Sequence, residues 1–315
     1  MSDYEEVPAP RAAHFIDWST FWAKDQAEAE WLLEDVLARG RGHSIYAKHG
    51  SMKSLFTLWC CLQVLATGAV VVYADWEMGE SDLYDRLVDM GCGAATDLSR
   101  LRYLMIPAIA PLNTEAGGRE LAQIVDSVQA DFPGRHVCVV IDTIGRAVVG
   151  EENANDTIQD FYRFTGMELK RREMTWVRID HAGWEGSHAR GASAKGDDVD
   201  VVWKLIRTED GIKLSADKRR MGWVPETVSF KLETEPVLRY EKALGSWPLG
   251  TQEVATLLDT LKVPLDSSAR FCVSRLREAG VGRRGVVVQA AQRYRRMVDA
   301  AKEERWEGTG AVRDA

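Results

Sequence analysis

Short apolar runs alternate with helical patterns along the first two-thirds of the chain, and this alternation predicts a parallel α/β sheet. One of these runs, Ala69–Asp75 (AVVVYAD), is continuously apolar, which is typical of a strand covered by helices on both sides. The predicted strands are His43–Tyr46, Ala69–Asp75, Leu101–Ile106, His136–Ile141 and Thr175–Asp180. The predicted helices are Leu55–Ala66, Glu80–Met90, Glu120–Ala130 and Thr157–Arg172, and residues 15–39 predict helical or irregular structure.

The pattern changes after His181. A glycine- and serine-rich loop, residues 182–196, precedes three runs that alternate like antiparallel strands, at Asp200–Thr208, Gly211–Ala216 and Thr227–Leu232. Beyond a linker at Gly245–Pro248, the chain predicts two helices and a β-like run, at Thr251–Leu261, Ser267–Ala279 and Gly285–Gln289. We therefore expect a flexible tail at 1–14, an α/β domain at 15–244 and a winged helix-turn-helix unit at 245–315 that binds DNA or a partner.

Composition adds three constraints. The chain has 315 residues and a net charge of −8, so any basic DNA-binding surface must be local. The arginines between Arg270 and Arg296 predict such a surface, and the alternative is a basic face that only keeps the protein in solution. No apolar run is long enough to span a membrane, and the N-terminus lacks the layout of a signal peptide. The five cysteines form no C-x-x-C pair, which predicts reduced thiols in a cytoplasmic protein.

The segment AKHGSMKS lies between the first predicted strand and helix, where a phosphate-binding P-loop belongs. Its backbone N–H groups and the helix N-terminus favour an anion. Lys53 would contact the β- and γ-phosphates, and the Ser54 hydroxyl would hold Mg²⁺. Ala47 and Met52 replace the usual glycines, so an ordinary strand-to-helix turn is the alternative. The predicted cofactor-binding residues here are Ala47, Lys48, His49, Gly50, Ser51, Met52, Lys53 and Ser54.

Polar side chains close three further predicted strands. Asp142 stands where a Walker-B aspartate belongs and would hold a magnesium-bound water, although strand-end aspartates are common. Glu77 could deprotonate the attacking water, or could be an exposed glutamate at a helix start. His181 could sense the γ-phosphate or bind a backbone carbonyl. Because parallel strands end at one edge of a sheet, these residues and Lys53 predict one ATP site.

The joint pattern resembles the RecA-like hexameric helicases of the RepA type from plasmids and phages, which are related to DnaB-like cores. The segments that carry the resemblance are AKHGSMKS, VVYADWEMGE, VVIDTIGRAVVGEENAND, RIDHAGWEGSHARGASAKGDDVDVVWKL and SADKRRMGW, within residues 15–235. It implies a RecA-like ATPase core with antiparallel C-terminal strands. It also implies that Glu77 is the catalytic glutamate, Asp142 the Walker-B residue and His181 the sensor. The family's second histidine is here Asp180.

The resemblance further implies an oligomer. Lys218 and Arg220 match a Lys-x-Arg-x-Gly pattern whose basic residues reach the nucleotide of the adjacent subunit, so that each active site is shared. Arg190, Ser193 and Lys195 lie in a loop that corresponds to one facing the central channel, where single-stranded DNA passes. Basic side chains there would follow phosphates without reading sequence.

These observations lead to one main hypothesis and two alternatives. The main one is a Mg²⁺- and ATP-dependent ring, expected to be a hexamer, that moves on single-stranded DNA as a phage- or plasmid-type replicative helicase with other replication proteins as partners. The first alternative is a recombinase-like or helicase-loading ATPase that DNA stimulates without strand separation. The second is a non-hydrolysing DNA-binding regulator with a degenerate P-loop, against which Lys53, Ser54, Glu77 and Asp142 argue.

Overall fold

The computed structural model describes residues 16–21, 30–151, 154–181, 194–243, 247–248, 250–283 and 285–310, and for residues 194–195, 286 and 300–310 it describes the backbone alone. The chain divides into two compact units, Met1–Glu30 and Trp31–Ala315. In the first unit the described helix is α1 (Trp18–Phe21), whose Trp18 and Phe21 rings meet edge to face at 5.2 Å. The predicted tail at 1–14 lies outside the described residues.

The second unit is built on strands that end or begin close to the predicted positions. In chain order its strands are β1 (Trp31–Leu33), β2 (Leu37–Ala38), β3 (Gly42–Ala47), β4 (Val70–Asp75), β5 (Leu101–Met105), β6 (Val137–Asp142), β7 (Thr175–His181), β8 (Val201–Arg207), β9 (Gly211–Arg219), β10 (Thr227–Glu233) and β11 (Arg239–Lys242). β1 and β2 pair antiparallel, so part of the region expected to be helical or irregular is a hairpin.

The helices of the second unit lie between these strands and after them. In chain order they are α2 (Lys53–Ala66), α3 (Glu80–Asp89), α4 (Glu115–Asp131), α5 (Ile144–Ala147), α6 (Asn155–Phe161), α7 (Met167–Arg171), α8 (Ala194–Asp197), α9 (Thr251–Thr260), α10 (Ala269–Glu278) and α11 (Gly285–Gly310). A π-helical turn, Tyr162–Gly166, joins α6 to α7. None of the described helices combines the length and apolar character that a membrane span requires.

Nine strands form one sheet in the order β11-β10-β9-β8-β3-β7-β6-β4-β5. The six strands from β8 to β5 in this order run parallel, and β9, β10 and β11 extend the sheet antiparallel. Helix α2 packs on one face and helices α4 and α6 on the other, so the central strands are buried on both sides. The predicted α/β class, a mostly parallel RecA-like sheet with antiparallel additions, is confirmed.

Helices α9, α10 and α11 pack around an apolar cluster of their own, which includes Leu258, Cys272 and Val288. The predicted β-like run Gly285–Gln289 is wrong, because this segment is the first part of α11. Its valines favour strands, but Val288 and Ala291 lie at helical spacing and are buried in this cluster, and tertiary packing outweighs local propensity. A winged helix-turn-helix is therefore not confirmed in the described residues, and the predicted boundary at 244/245 stays a prediction.

Candidate active site

Four parallel strands bring their carboxyl ends to one edge of the sheet. Ala47 of β3 pairs with His181 of β7, and Asp75 of β4 pairs with Asp142 of β6. β7 and β6 are neighbours, so these four residues form a continuous row. The edge carries the phosphate loop, Glu77 and Asp142, which the sequence led us to expect there, and also Asp75, which it did not.

The predicted phosphate loop, residues 48–52, joins β3 to the N-terminus of α2. Gly50 and Met52 both have left-handed backbones, with φ of 72° and 66°. A side chain at such a position costs about 1–2 kcal/mol, so the loop keeps a glycine-like shape at Met52 at some cost in stability. The Ser51 hydroxyl donates to the Lys48 carbonyl at 2.6 Å and closes the turn. Lys53 is the first residue of α2 and is only 8% exposed.

Asp142 is the buried carboxylate of the row, 2% exposed. The Tyr73 hydroxyl donates to its Oδ2 at 2.7 Å, and the Ser54 side chain approaches the same carboxyl group. Burial raises the pKa of Asp142 to about 6, although hydrogen bonding from Tyr73 and Ser54 acts in the opposite direction. Among the described residues no donor reaches its other oxygen, Oδ1, which is also buried. An ionised Asp142 therefore needs a further donor or a cation beside Oδ1.

Glu77 lies in the turn between β4 and α3, with a side chain that is 39% exposed. Its backbone N–H and that of Met78 donate to Asp75 Oδ1, at 2.7 and 3.0 Å, which fixes the turn. The Thr143 hydroxyl donates to Glu77 Oε1 at 3.2 Å. The same oxygen lies 3.8 Å from His181 Nε2 and 3.8 Å from Arg146 Nε. Glu77 is thus a partly solvated carboxylate with a defined orientation.

His181 lies between the phosphate loop and Glu77. Its ring stacks on that of His49, with centroids 4.2 Å apart and planes inclined by 23°. The side chain of His181 is 13% exposed. A polar group at the end of β7 therefore contacts both the loop and the predicted water-activating carboxylate.

A cavity of about 450 Å³ opens between the phosphate loop and the end of β8. Its lining combines the end of β3 and the loop with the end of β8, namely Tyr46, Ala47, Lys48, His49, Gly50, Ser51, Lys204, Leu205, Ile206 and Arg207. The cavity is large enough for the nucleoside part of a nucleotide whose phosphates occupy the loop.

Lys218 and Arg220 lie toward the opposite edge of the sheet. Lys218 pairs with Val202, which pairs with Ser44, so Lys218 lies roughly 10 Å along the strand direction from Ala47. The Lys218 ammonium donates to the Gly196 carbonyl, and Arg220 donates to the Asp197 carbonyl at 2.7 Å. Burial, followed by the charge of Arg220, lowers the pKa of Lys218. The structure therefore does not bring these two residues to the phosphate loop of their own chain.

The predicted DNA loop falls largely outside the described residues. Arg190 and Ser193 lie outside them, and Lys195 is described only as part of the backbone of α8. At the base of the loop, the fully buried Arg178 donates to Asp180 Oδ2 at 2.9 Å and pairs with Asp198. Asp180, which stands where the family has a histidine, also accepts a 2.6 Å hydrogen bond from Ser44. This buried ion cluster holds together the two chain segments that flank the loop.

Several arginines of the C-terminal helices and of the segment between α10 and α11 are paired within the chain. Arg275, Arg283 and Arg295 pair with Glu278, Glu253 and Asp259. Arg293 pairs with both Glu34 and Asp35 near the β1–β2 hairpin. The basic character expected between Arg270 and Arg296 is thus partly neutralised by the protein itself.

Sequence reasoning missed Tyr73, Tyr103 and Asp75. Their positions beside the site depend on three strands that meet through sheet register, and no local motif marks them. The alternation Tyr73-Ala-Asp75 places the side chains of Tyr73 and Asp75 on one face of β4. This spacing is the one sequence signal that could have drawn attention to these two residues, and it says nothing of Tyr103.

Known proteins match the chain at two levels. The AAA domain family matches residues 9–187. The fold is similar to the ATPase domain of G40P, with a TM-score of 0.52 and 16% identity over 65% of this chain and 86% of that chain. It is also similar to a DnaB-like replicative helicase described with its interactions with primase, with a TM-score of 0.50 and 16% identity over 62% of this chain and 57% of that chain. No curated protein matches the sequence.

Proposed function

Since the chain belongs to the AAA domain family and has the fold of DnaB-like helicase cores, we propose that it is a P-loop ATPase that acts as a ring-forming motor on single-stranded DNA. The specific form that we propose is a replicative helicase of phage or plasmid type. The observation that carries the proposal is the single sheet edge where the phosphate loop, Glu77, Asp142 and His181 meet.

The phosphate loop binds the triphosphate of ATP in this proposal. Backbone N–H groups of residues 48–52 and the N-terminus of α2 favour the anion, and Lys53 adds a positive charge at the first residue of that helix. The left-handed backbone at Met52 leaves the loop in the conformation that a glycine would adopt. This is why we expect nucleotide binding despite the missing glycines.

Glu77 acts as the general base on the attacking water. A carboxylate can accept a proton when it is positioned against the water, and the turn held by Asp75 fixes the position of Glu77. Thr143 orients the carboxylate through one oxygen and leaves the other, Oε2, to contact the water. His181 would respond to the γ-phosphate, and its position 3.8 Å from Glu77 Oε1 supports this role.

Ser54 and Asp142 fit a magnesium site. The buried Asp142 Oδ1 lacks a donor among the described residues, and the Ser54 hydroxyl approaches the same carboxyl group. The described residues contain no group of three or more His, Cys, Asp or Glu side chains arranged for a metal. In a nucleotide site of this kind, phosphate oxygens and waters would supply most of the Mg²⁺ ligands. Bound Mg²⁺ would neutralise charge on the phosphates, with Ser54 as a ligand and Asp142 holding its water.

The position of Lys218 and Arg220 supports a shared active site. Neither lies at the edge that holds its own phosphate loop, so they would act on the nucleotide of an adjacent subunit in a ring, which we propose to be a hexamer. A cation of this kind stabilises charge on the transferred phosphoryl group. Both are now bound to the segment 196–200, and they would exchange those contacts for phosphate contacts at the interface.

Arg190, Ser193 and Lys195 would contact the DNA backbone in the channel. The buried cluster of Arg178, Asp180 and Asp198 supports this role by holding the base of their loop. For the C-terminal helices we propose a second contact with DNA or with another replication protein. Internal ion pairs leave fewer arginines there for phosphate than the sequence suggested.

The proposal is tested by ATP hydrolysis of the full chain with and without Mg²⁺ and single-stranded DNA. We expect Mg²⁺-dependent turnover that DNA stimulates, and loss of turnover in Lys53→Ala. Lys231→Ala, which changes an exposed lysine on β10, is the matched control and should behave as wild type. No hydrolysis by the wild type, or normal hydrolysis by Lys53→Ala, would overturn the ATPase. DNA-stimulated hydrolysis without unwinding of a forked substrate would overturn the helicase and favour the recombinase-like alternative.

A further inference from the structure

Two tyrosines on neighbouring strands each donate to an aspartate on the next strand. Tyr73 of β4 donates to Asp142 of β6, and Tyr103 of β5 donates to Asp75 of β4. In both pairs the aspartate is two residues beyond the tyrosine's paired position, since Tyr73 pairs with Val140 and Tyr103 with Tyr73. The same diagonal contact is thus repeated one strand apart.

The two pairs are coupled through their rings. Tyr73 and Tyr103 stack with centroids 4.9 Å apart and planes inclined by 12°. Tyr73 is fully buried, and the carboxylates of Asp75 and Asp142 are nearly so. Burial is the main factor that raises the pKa of both hydroxyls, so each stays protonated and always donates to its carboxylate. Stacking fixes the rings, and the rings fix the hydroxyls.

Each aspartate in turn holds one part of the proposed hydrolytic site. Asp142 Oδ2 accepts the hydrogen bond from Tyr73, while the buried Oδ1 has no donor among the described residues and is left for another partner. Asp75 Oδ2 is occupied by Tyr103, which leaves Oδ1 to accept the N–H groups of Glu77 and Met78. The stacked pair of Tyr73 and Tyr103 therefore holds two parts of the site: the Asp142 carboxylate, which is expected to hold a magnesium-bound water, and the turn that carries Glu77.

We propose that Tyr73 and Tyr103 are positioning residues of the hydrolytic site. Tyr73 fixes the orientation of Asp142, which would hold a magnesium-bound water, and Tyr103 orients Glu77 by way of Asp75. Neither tyrosine contacts the nucleotide itself. This inference rests on the proposed ATPase, because it assigns a purpose to residues around that site.

The test compares Tyr73→Phe, Tyr103→Phe and the control Tyr240→Phe in the full chain. Tyr240 is buried in the same core, and its hydroxyl has no hydrogen-bond partner among the described residues, so its removal reports general packing effects. Three quantities are measured: kcat and KM for ATP, Mn²⁺ affinity by electron paramagnetic resonance with a non-hydrolysable ATP analogue, and amide exchange of residues 76–79.

Each variant should change a different quantity. Tyr73→Phe should weaken Mn²⁺ binding and lower kcat roughly 10- to 100-fold, as expected for a lost hydrogen bond to a charged group. Tyr103→Phe should lower kcat with little change in KM or Mn²⁺ affinity, and should speed amide exchange at residues 77–78. Tyr240→Phe should change none of them.

Two results would overturn the proposal. One is that both tyrosine variants match Tyr240→Phe in every measurement. The other is that all three variants lose activity, metal affinity and amide protection together, which indicates general destabilisation. If the wild type fails to hydrolyse ATP, the proposed ATPase function is rejected instead. Amide exchange of residues 77–78 in Tyr103→Phe would then still test whether Tyr103 holds the Glu77 turn through Asp75.

Discussion

Replacing Asp142 by asparagine should stabilise the nucleotide-free protein while removing its activity. The substitution keeps the side-chain shape and an oxygen that can accept the hydrogen bond from Tyr73. It removes an ionised group that is buried at the sheet edge, 2% exposed. A residue required for function would then be a source of instability in the free enzyme.

The magnitude follows from the raised pKa of Asp142, which burial shifts from 3.8 to about 6. Because the folded form binds this proton more tightly than the unfolded form, the contribution of Asp142 to stability falls as pH rises from about 4 to about 6. One pKa unit corresponds to about 1.4 kcal/mol, so the charged carboxylate costs up to about 3 kcal/mol above pH 7. Asp142→Asn should recover roughly 1–3 kcal/mol of that cost.

The assay is urea unfolding without Mg²⁺ or nucleotide, at pH 7.5 and near pH 4. Asp142→Asn should be more stable than wild type at pH 7.5, and the difference should fall below about 1 kcal/mol near pH 4. Asp198→Asn is an informative contrast, because burial also raises the pKa of Asp198 to about 6. There the buried Arg178 would lose a partner, so Asp198→Asn should destabilise the protein. Reduced stability of Asp142→Asn at pH 7.5, or a difference that does not change with pH, would show that the charged carboxylate of Asp142 does not destabilise the free protein.

Substitutions at His43, Arg220 and Met52 test three other parts of the molecule. Burial lowers the pKa of His43 from 6.5 to about 4, so the neutral imidazole stabilises the fold above pH 6.5, and up to about 3 kcal/mol of stability is lost as pH falls through 4. In His43→Gln the free energy of unfolding should therefore depend less on pH between 6.5 and 4. An unchanged pH profile would show that His43 does not contribute to acid unfolding. Lys53→Ala and Arg220→Ala should each be inactive alone, but a mixture of the two should regain part of the ATPase activity, because some interfaces combine an intact phosphate loop with an intact Arg220. Normal hydrolysis by Arg220→Ala would exclude the shared site, and so would a protein that stays monomeric with ATP analogue and DNA. Met52→Gly should retain hydrolysis, because glycine adopts the left-handed backbone of that position freely, and loss of nucleotide binding would show that the Met52 side chain itself is needed.

The sheet was predictable because its signals are local. The buried runs that became β4 and β6 are apolar on both faces, and the chain order of strands and helices restricts a parallel sheet to a few topologies. The strand ends were therefore predictable as well, and with them the meeting of the phosphate loop, Glu77 and Asp142.

What could not be predicted depends on contacts between distant segments. Tyr103 reaches Asp75 only because β5 pairs with β4 in one particular register, which no local pattern specifies. The valines of Gly285–Gln289 favour a strand in isolation, yet burial of Val288 against α9 and α10 makes them helical. The partners of Arg293 lie near residue 35, so its role in packing was hidden by its position in a basic run.

Glu77→Gln shows whether this sheet edge hydrolyses ATP with Glu77 as the base. Binding of ATP and its hydrolysis should be measured on the same preparation, with wild type beside it. The variant should bind Mg²⁺-ATP as wild type does, because the phosphate loop is untouched, and should lose hydrolysis by roughly 10²- to 10⁴-fold. Hydrolysis at the wild-type rate, or binding that falls together with hydrolysis, would show that Glu77 is not the base.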